Sequence, residues 1–187
     1  IDIRKYRYDE YMDIFSVVFQ DFKLFALPLG QNVATAQHYD VARAADCLQK
    51  AGFSDRLARM PKGLDTCLYK DLDEDGVTIS GGEAQKIAIA RALYKDAPFI
   101  VLDEPTAALD PVAEAEIYAK FNEIAGDKTA IYISHRLSSC KFCDEIAVFD
   151  HGEVVQQGTH EELLGEPDGK YYELWNAQAQ YYTEESA

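Results

Sequence analysis

The chain has 187 residues, of which 48% are hydrophobic and 27% are charged. This composition is typical of a globular domain with a hydrophobic core and not of a disordered chain. The formal net charge of −15 argues against binding to duplex nucleic acid, because phosphate neutralisation needs clustered cations. No stretch approaches the roughly 20 apolar residues of a membrane span, and the first residues lack a signal-peptide core. We therefore expect any membrane role to come from a partner or from sequence outside this chain.

The four cysteines do not form a recognisable metal-binding pattern. Cys140 and Cys143 have Cys-x-x-Cys spacing, but Cys47 and Cys67 stand alone, so a second ligand pair is missing. We interpret all four as ordinary thiols in a reducing compartment, which favours a cytosolic location.

The first half of the chain predicts one strand followed by helices. Residues 14–19 form an apolar run with the length and the β-branched and aromatic content of a strand. From about residue 24 to residue 69 the pattern is helical and alanine-rich, with its strongest helix candidate at residues 39–51. A turn-rich break and an acidic loop then lead to Ser80, and a helix is predicted from about residue 84 to residue 94.

The second half alternates strands with helices. Residues 99–102 form a continuous apolar run, which is typical of a strand buried on both faces. A helix over residues 112–124 leads to a second buried strand at 129–133, which is parallel to the first if the helix is a crossover. Residues 146–157 predict an antiparallel hairpin, and the remainder predicts a C-terminal helix. This order is typical of an α/β fold with an inserted helical region before Ser80.

Two adjacent carboxylates, Asp103 and Glu104, follow the first buried strand. Ligands of open α/β sheets bind beyond the carboxyl ends of the strands. Asp103 is therefore a candidate to hold a Mg²⁺-bound water, and Glu104 a candidate to polarise an attacking water. The alternative is that both acids only begin the next helix, since acidic residues are favoured at helix N-termini.

The sequence Ser80-Gly81-Gly82-Glu83 is a candidate anion site. A capping box explains Ser80 and Glu83 completely. It does not explain two adjacent glycines in the first helical turn, each of which costs about 1 kcal/mol relative to alanine. Bare N–H groups at a helix N-terminus bind phosphate well, so the glycines favour the functional interpretation.

Two further polar residues follow predicted strands. His135 comes directly after the second buried strand, where it is a candidate to contact a γ-phosphate or the attacking water. Gln20 follows the first apolar run and would be an ordinary surface glutamine if it were considered alone.

The order and spacing of these residues resemble the nucleotide-binding domain of ABC transporters of the exporter type. Gln20 matches the Q-loop, residues 79–83 match the signature sequence, and residues 99–103 match Walker B, followed by the catalytic Glu104. Residues 108–110 match the D-loop and His135 the switch histidine. The resemblance covers essentially the whole chain. The signature has Ile and Glu where Leu and Gln are commonest, which is a modest departure because the Ser hydroxyl and the glycine amides remain.

The resemblance implies a fold, cofactors and site residues. The fold is an α/β, partial P-loop NTPase (RecA-like) parallel sheet core, residues 1–23 and 96–187, with an inserted α-helical signature subdomain, residues 24–95. The implied cofactors are ATP and Mg²⁺. The implied site consists of catalytic Glu104 and His135; nucleotide-binding Gln20, Ser80, Gly81, Gly82, Glu83 and Asp110; and Asp103 and Gln20 at the Mg²⁺.

The resemblance also implies a function and partners. ATP hydrolysis would drive export across a membrane, with ATP held between the P-loop of one domain and residues 80–82 of a second nucleotide-binding domain, in a homodimer or a heterodimer. Residues 22–28 would face a transmembrane domain, and the chain would lie on the cytoplasmic side of the membrane.

No glycine of the chain begins a G-x-x-x-x-G-K-[ST] P-loop. We therefore expect a fragment that begins after the P-loop and is inactive alone.

Two alternatives stay open. The first is a soluble ABC ATPase. The DNA-maintenance type would need a very long coiled coil between Gln20 and Ser80, where only about 60 positions are available; the translation type carries two cassettes in one chain, which only upstream sequence could show. A non-catalytic, dimerising regulatory domain is favoured by the missing P-loop and disfavoured by intact Glu104 and His135.

Overall fold

A computed structural model describes residues 1–106, 108–109, 111–119 and 125–184. It divides into two units, residues 1–133 and 134–187. The first unit contains three short strands and six helices in the order α1 (Tyr8–Asp13), β1 (Phe15–Val18), α2 (Leu29–Ala34), α3 (Val41–Lys50), α4 (Ser54–Ala58), α5 (Gly81–Lys95), β2 (Phe99–Asp103), α6 (Pro111–Ala119) and β3 (Thr129–Ile133) within the described residues. The second contains β4 (Ile146–Asp150), β5 (Glu153–Gly158), α7 (His160–Leu164) and α8 (Lys170–Glu184). Short 3₁₀ helices lie at Ile3–Lys5, Gly63–Asp65 and Leu137–Phe142.

The sheet of the first unit is parallel throughout, in the order β1-β2-β3. Phe99 of β2 pairs with Phe15 on one side and with Thr129 on the other, so the three strands end at the same edge. This arrangement confirms the predicted α/β fold class and its parallel sheet. The predicted division into a RecA-like core and a helical subdomain stays a prediction.

The two faces of this sheet differ in burial. Ser16, Val18, Ile100 and Leu102 point to one face and are buried. The residues of the other face, which we call the open sheet face, are half-buried or exposed; they are Phe15, Val17, Phe99, Val101, Ile131 and Ile133. The prediction that the strands at 99–102 and 129–133 are buried on both faces is therefore wrong for the described residues. The reason is that, within the described ranges, the open sheet face is left partly uncovered, with Ile131 and Ile133 each 47% exposed.

The helical region packs against α5. The helix predicted at residues 39–51 is α3, which begins after Asp40, whose carboxylate accepts a hydrogen bond from the N–H of Arg43 at 3.0 Å. The apolar faces of α2, α3 and α5 meet in one core, whose fully buried members include Leu29, Leu48 and Ile87. This confirms the predicted helical region before Ser80.

Asn32 and Arg91 fix the segment at residues 23–28. The buried Asn32 amide accepts a hydrogen bond from the N–H of Phe25 (2.8 Å) and donates to the carbonyls of Phe25 (3.0 Å) and Leu27 (3.1 Å). Arg91 of α5 donates to the carbonyls of Asn32 (2.9 Å) and Lys23 (3.1 Å). The backbone of this segment is thus held in place, whereas the side chains of Phe25 and Leu27 are exposed.

We expect the substitution Asn32→Ala to lower the free energy of unfolding by about 2 kcal/mol, because it removes three part-buried hydrogen bonds to the backbone of Phe25 and Leu27. Urea unfolding followed by circular dichroism measures this change. Gln37→Ala, at an exposed position, is the matched control and should stay within about 0.5 kcal/mol of the parent. Equal effects of the two substitutions would show that the Asn32 amide does not anchor the segment.

The second unit consists of a hairpin and two helices. β4 and β5 are antiparallel with an irregularity between Val148 and Phe149, which confirms the predicted hairpin, and α8 confirms the C-terminal helix. Tyr171 is fully buried, and its hydroxyl lies 2.8 Å from Nδ1 of His160. In the parts of the chain that the structure describes, we find no helix with the length and apolar character of a membrane span.

Candidate functional site

Glu104 lies directly beyond β2 at the carboxyl edge of the parallel sheet. Its φ of 46° places the backbone in the left-handed region, which costs a non-glycine residue on the order of 1–3 kcal/mol. The N–H of Glu104 donates to the carbonyl of Ile133, the last residue of β3, at 2.9 Å. The surrounding structure therefore holds the residue in a conformation that its own preferences disfavour.

The carboxylate of Glu104 contacts a second predicted site residue. Nε2 of Gln20, two positions after the end of β1, donates to Oε2 of Glu104 at 3.3 Å. The two residues are 84 positions apart in the sequence, and the parallel sheet brings them to one edge. This contact joins the residue predicted for the Q-loop to the predicted catalytic glutamate.

Asp103 is the last residue of β2 and is half-buried. Among the described residues, its carboxylate has no hydrogen-bond or ion-pair partner. Its oxygens and the amide oxygen of Gln20 are the kind of ligand that Mg²⁺ accepts, together with substrate phosphates and water. The described residues contain no cluster of three or more His, Cys, Asp or Glu side chains that could hold a metal without such help.

Ser80 begins α5 through a complete capping box. The N–H of Glu83 donates to Oγ of Ser80 at 3.2 Å, and the N–H of Ser80 donates to Oε2 of Glu83 at 2.9 Å. Ser80 is exposed, and its hydroxyl acts as an acceptor in the cap. The hydroxyl proton can therefore still be donated to a ligand outside this helix.

The acid at position 83 is balanced by a neighbouring cation. Nε of Arg56, in α4, lies 2.9 Å from Oε1 of Glu83. Both carboxylate oxygens of Glu83 are thus engaged inside the chain, one in the cap and one in the ion pair. This pair gives a physical reason why a glutamate is tolerated where the signature commonly has a glutamine. The nucleotide-binding role of Glu83 stays a prediction.

The two glycines at the start of α5 differ in how much packing explains them. A Cβ at Gly82 would lie 3.2 Å from Cδ2 of Leu109, which is a tight contact. A Cβ at Gly81 would lie 3.5 Å from Cβ of Ala108, an ordinary contact, and Gly81 is exposed. Packing against residues 108–109 therefore accounts for Gly82 but not for Gly81. Asp110, the remaining predicted D-loop residue, lies outside the described residues.

Gln85 is a site residue that the sequence analysis missed. It is only 3% exposed, its Nε2 donates to the carbonyl of Glu104, and its Oε1 accepts from the N–H of Ala108, both at 2.9 Å. A signal was available in the sequence. Gln85 shares the core-facing stripe of α5 with Ala88, Ile89 and Ala92, and a polar residue on such a stripe needs a buried partner.

A buried polar cluster also holds the chain just after Glu104. Oγ1 of Thr106 donates to Oε1 of Glu114 at 3.1 Å, and the Tyr118 hydroxyl donates to the same oxygen at 2.7 Å. The hydroxyls of Tyr118 and Tyr132 are 2.7 Å apart. Burial is the main cause that raises the pKa of the Tyr118 hydroxyl above its ordinary value, so this residue acts as a neutral hydrogen-bonding group.

His135 lies in the second unit, where its side chain is exposed. Gln178 of α8 donates to the carbonyl of His135 and accepts from the N–H of Leu137 at 2.9 Å. The backbone around the predicted switch histidine is thus fixed by the C-terminal helix. The catalytic role of His135 stays a prediction.

Cys140 and Cys143, the pair with Cys-x-x-Cys spacing, are half-buried. Burial raises the pKa of the Cys140 thiol to about 11 and raises that of the Cys143 thiol as well. Thiols with raised pKa values are poor nucleophiles and poor metal ligands at neutral pH.

Comparisons with known proteins identify the family of this chain. The family model described as ABC transporter matches residues 1–107. The chain is 43% identical over 169 residues to the ATP-dependent lipid A-core flippase of Idiomarina loihiensis, a match that covers 88% of this chain and 28% of that protein. It is 41% identical over 164 residues to the mitochondrial iron-sulfur clusters transporter ABCB7 of Oryzias latipes, a match that covers 87% of this chain and 21% of that protein.

A solved structure gives the same result. The chain is similar to a bacterial Atm1-family ABC exporter with ATP bound, with a TM-score of 0.79 and 37% sequence identity, over 89% of this chain and 29% of that chain. The chain therefore spans less than a third of the length of these three relatives. The family model nevertheless covers more than half of the chain, and the relatives match most of it. The chain belongs to the ABC transporter family.

Proposed function

We propose that this chain is the ATP-hydrolysing part of an ABC exporter and that it works with ATP and Mg²⁺. The observation that carries the proposal is the contact of Gln20 with Glu104 at the carboxyl edge of the sheet. This edge is where nucleotides bind in open α/β folds. The relatives named above are a flippase, a transporter and an exporter, which supports export over the soluble and regulatory alternatives.

Each residue at this edge has a task that its chemistry permits. Glu104 orients and polarises the attacking water, and Asp103 and Gln20 hold Mg²⁺ through oxygen ligands. The metal supplies positive charge that stabilises the phosphate oxygens during transfer. The bond from Gln20 keeps the Glu104 carboxylate turned toward this edge.

The start of α5 serves a second nucleotide-binding domain. Ser80 and Gly81 are exposed, and the N–H groups of a helix N-terminus attract phosphate. In the proposed head-to-tail dimer, Ser80, Gly81 and Gly82 of one domain contact the ATP that the other domain holds. The second domain is a copy of this chain or a close relative of it.

The segment at residues 22–28 is the proposed contact with a transmembrane domain on the cytoplasmic side of the membrane. Phe25 is 57% exposed and Phe19, just before Gln20, is 60% exposed. Asn32 accepts a hydrogen bond from the N–H of Phe25, and Arg91 of α5 donates to the carbonyl of Lys23, so both hold the backbone of this segment in place. A rigid backbone that presents exposed aromatic side chains fits a docking surface for a partner helix. The relatives are named for different cargoes, lipid A-core and iron-sulfur clusters, so the cargo of this protein is not inferred from them.

The open sheet face supports the further proposal that another element, one that brings the P-loop, packs on this sheet. Parallel sheets are normally covered on both faces, and this face carries Phe15, Val17, Val101 and Ile131. We therefore expect a polypeptide of these 187 residues to bind MgATP more weakly than a Kd of about 1 mM, the upper end of ordinary substrate constants, and to hydrolyse none above background.

Isothermal titration calorimetry and a phosphate-release assay test this expectation. The positive control is the full-length ATP-dependent lipid A-core flippase of Idiomarina loihiensis, which should bind and hydrolyse ATP under the same conditions. Submillimolar affinity of the 187-residue polypeptide, with turnover that disappears in its Glu104→Gln variant, would contradict the proposal that the P-loop comes from another element.

A further inference from the structure

The amide of Gln85 ties both ends of a short loop to α5. Its nitrogen donates to the carbonyl of Glu104 and its oxygen accepts from the N–H of Ala108. A planar amide that uses both of its ends fixes two backbone groups at a set separation and orientation. The loop at 104–108, as far as the structure describes it, is thereby held against the same helix that begins at Ser80.

The Gln85 contact holds the backbone of the residue that carries the Glu104 carboxylate. The left-handed backbone of Glu104 is held on one side by the bond from its N–H to Ile133 and on the other by the bond from Gln85 to its carbonyl. A change in the backbone conformation of Glu104 would redirect its Cα–Cβ bond and move the carboxylate relative to Gln20. Loss of the Gln85 bond therefore removes one restraint on the backbone of Glu104.

We propose that Gln85 is a positioning residue that orients the carboxylate of Glu104 and joins it rigidly to the start of α5. This inference rests on the proposed function, since it assumes that Glu104 polarises the attacking water. As a consequence, contact of a partner domain with Ser80 and Gly81 affects the position of the Glu104 carboxylate in the same chain. The connection is short, because Gln85 lies just over one helical turn from Ser80. The competing explanation is that Gln85 only satisfies two buried backbone groups and contributes to stability alone.

The test compares variants in the full-length transporter that carries this chain. Gln85→Leu keeps the volume of the side chain and removes both hydrogen bonds. We expect kcat for ATP hydrolysis to fall by at least about 10-fold with KM changed less than about 2-fold, because misplacement of a catalytic group affects the transition state more than ground-state binding. Ile89→Val, in the same buried stripe of α5 but without a bond to the loop, is the control for lost packing and should keep the parental kcat.

The pH dependence of kcat in the Gln85→Glu variant distinguishes a positioning role from a purely structural one. The carboxylate can still accept from the N–H of Ala108, but it cannot donate to the carbonyl of Glu104 until it is protonated. Burial raises the pKa of a carboxyl group, so the kcat of this variant relative to the parent should rise as the pH falls from about 8 to about 6. Gln85→Leu should show no such recovery.

A double-mutant cycle separates this inference from the proposed function. In the Glu104→Gln background, adding Gln85→Leu should lower the hydrolysis rate less than about 2-fold, because the group that Gln85 positions has lost its role. If Gln85→Leu lowers the melting temperature but keeps the parental kcat, or if Gln85→Glu shows no pH-dependent recovery, the positioning role is wrong. If Glu104→Gln alone keeps the parental rate, the proposed catalytic role of Glu104 fails instead.

Discussion

The substitution Glu104→Gln in the full-length transporter should lower ATP hydrolysis by at least about 10²-fold, the usual scale for loss of a positioned general base. ATP affinity should stay close to the parental value. The new amide keeps an oxygen that can accept the bond from Nε2 of Gln20, so the geometry of the edge is preserved while the basic group is lost. ATP-bound dimers should then accumulate, because the step that separates them has stopped.

Asp103→Asn gives the contrast that assigns separate roles to the two acids. Asp103 is proposed to hold Mg²⁺ and not to act on the water, so this substitution should weaken Mg²⁺-dependent nucleotide binding itself. Glu74→Gln, in an exposed acidic loop, removes one negative charge away from the sheet edge and serves as the control for net charge.

The separate roles of Glu104 and Asp103 are tested by single-turnover hydrolysis and by a direct nucleotide titration. Both are measured for Glu104→Gln, Asp103→Asn and the control Glu74→Gln. If Glu104→Gln hydrolyses ATP at nearly the parental rate, Glu104 only begins the segment that follows β2. The catalytic role would then have to be sought elsewhere, with His135 as the next candidate. Equal loss of nucleotide binding in both acid variants would show that the two carboxylates do not have separate tasks.

The sequence predicted the sheet edge because the relevant signals are local. An apolar run followed by Asp103 and Glu104 identifies a strand and its carboxyl end, and parallel strands bring such ends to one edge. The contact between Gln20 and Glu104 follows from that topology although the two residues are far apart in the chain. The capping box at Ser80 was predictable for the same reason, since all of its partners lie within four positions.

The contacts that brace the site were not predicted because they depend on the packed structure. The amides of Gln85 and Gln178 bind backbone groups on loops that are distant in sequence, and no spacing rule identifies such pairs. The ion pair of Glu83 with Arg56 likewise needs α4 to lie beside α5. Burial was overestimated for β3, because an apolar run predicts a strand but not whether an element covers it, and Ile131 remains partly exposed.

Substitution of Ser80 by arginine should abolish ATP-driven dimerisation of the nucleotide-binding domains and leave ATP binding to a single domain nearly unchanged. Ser80 is exposed at the start of α5, where the proposed partner brings its own ATP. A long side chain there would occupy the space of the partner's phosphates, whereas the ATP of its own domain is proposed to bind at the Asp103 and Glu104 edge beyond β2.

Thr159 offers a matched control for this substitution. It forms the same kind of capping box with Glu162 at the start of α7, so Thr159→Arg removes an equivalent cap, worth about 1 kcal/mol, without touching the signature. Ser80→Ala should cost about the same stability and weaken dimerisation less than Ser80→Arg, because it removes the hydroxyl but adds no bulk. Dimerisation is measured by size-exclusion chromatography with ATP, with each substitution made in the Glu104→Gln background. If Ser80→Arg dimerises in this background as well as Thr159→Arg does, Ser80 is only a capping residue, because a position at the partner's phosphates could not accept a side chain of that size.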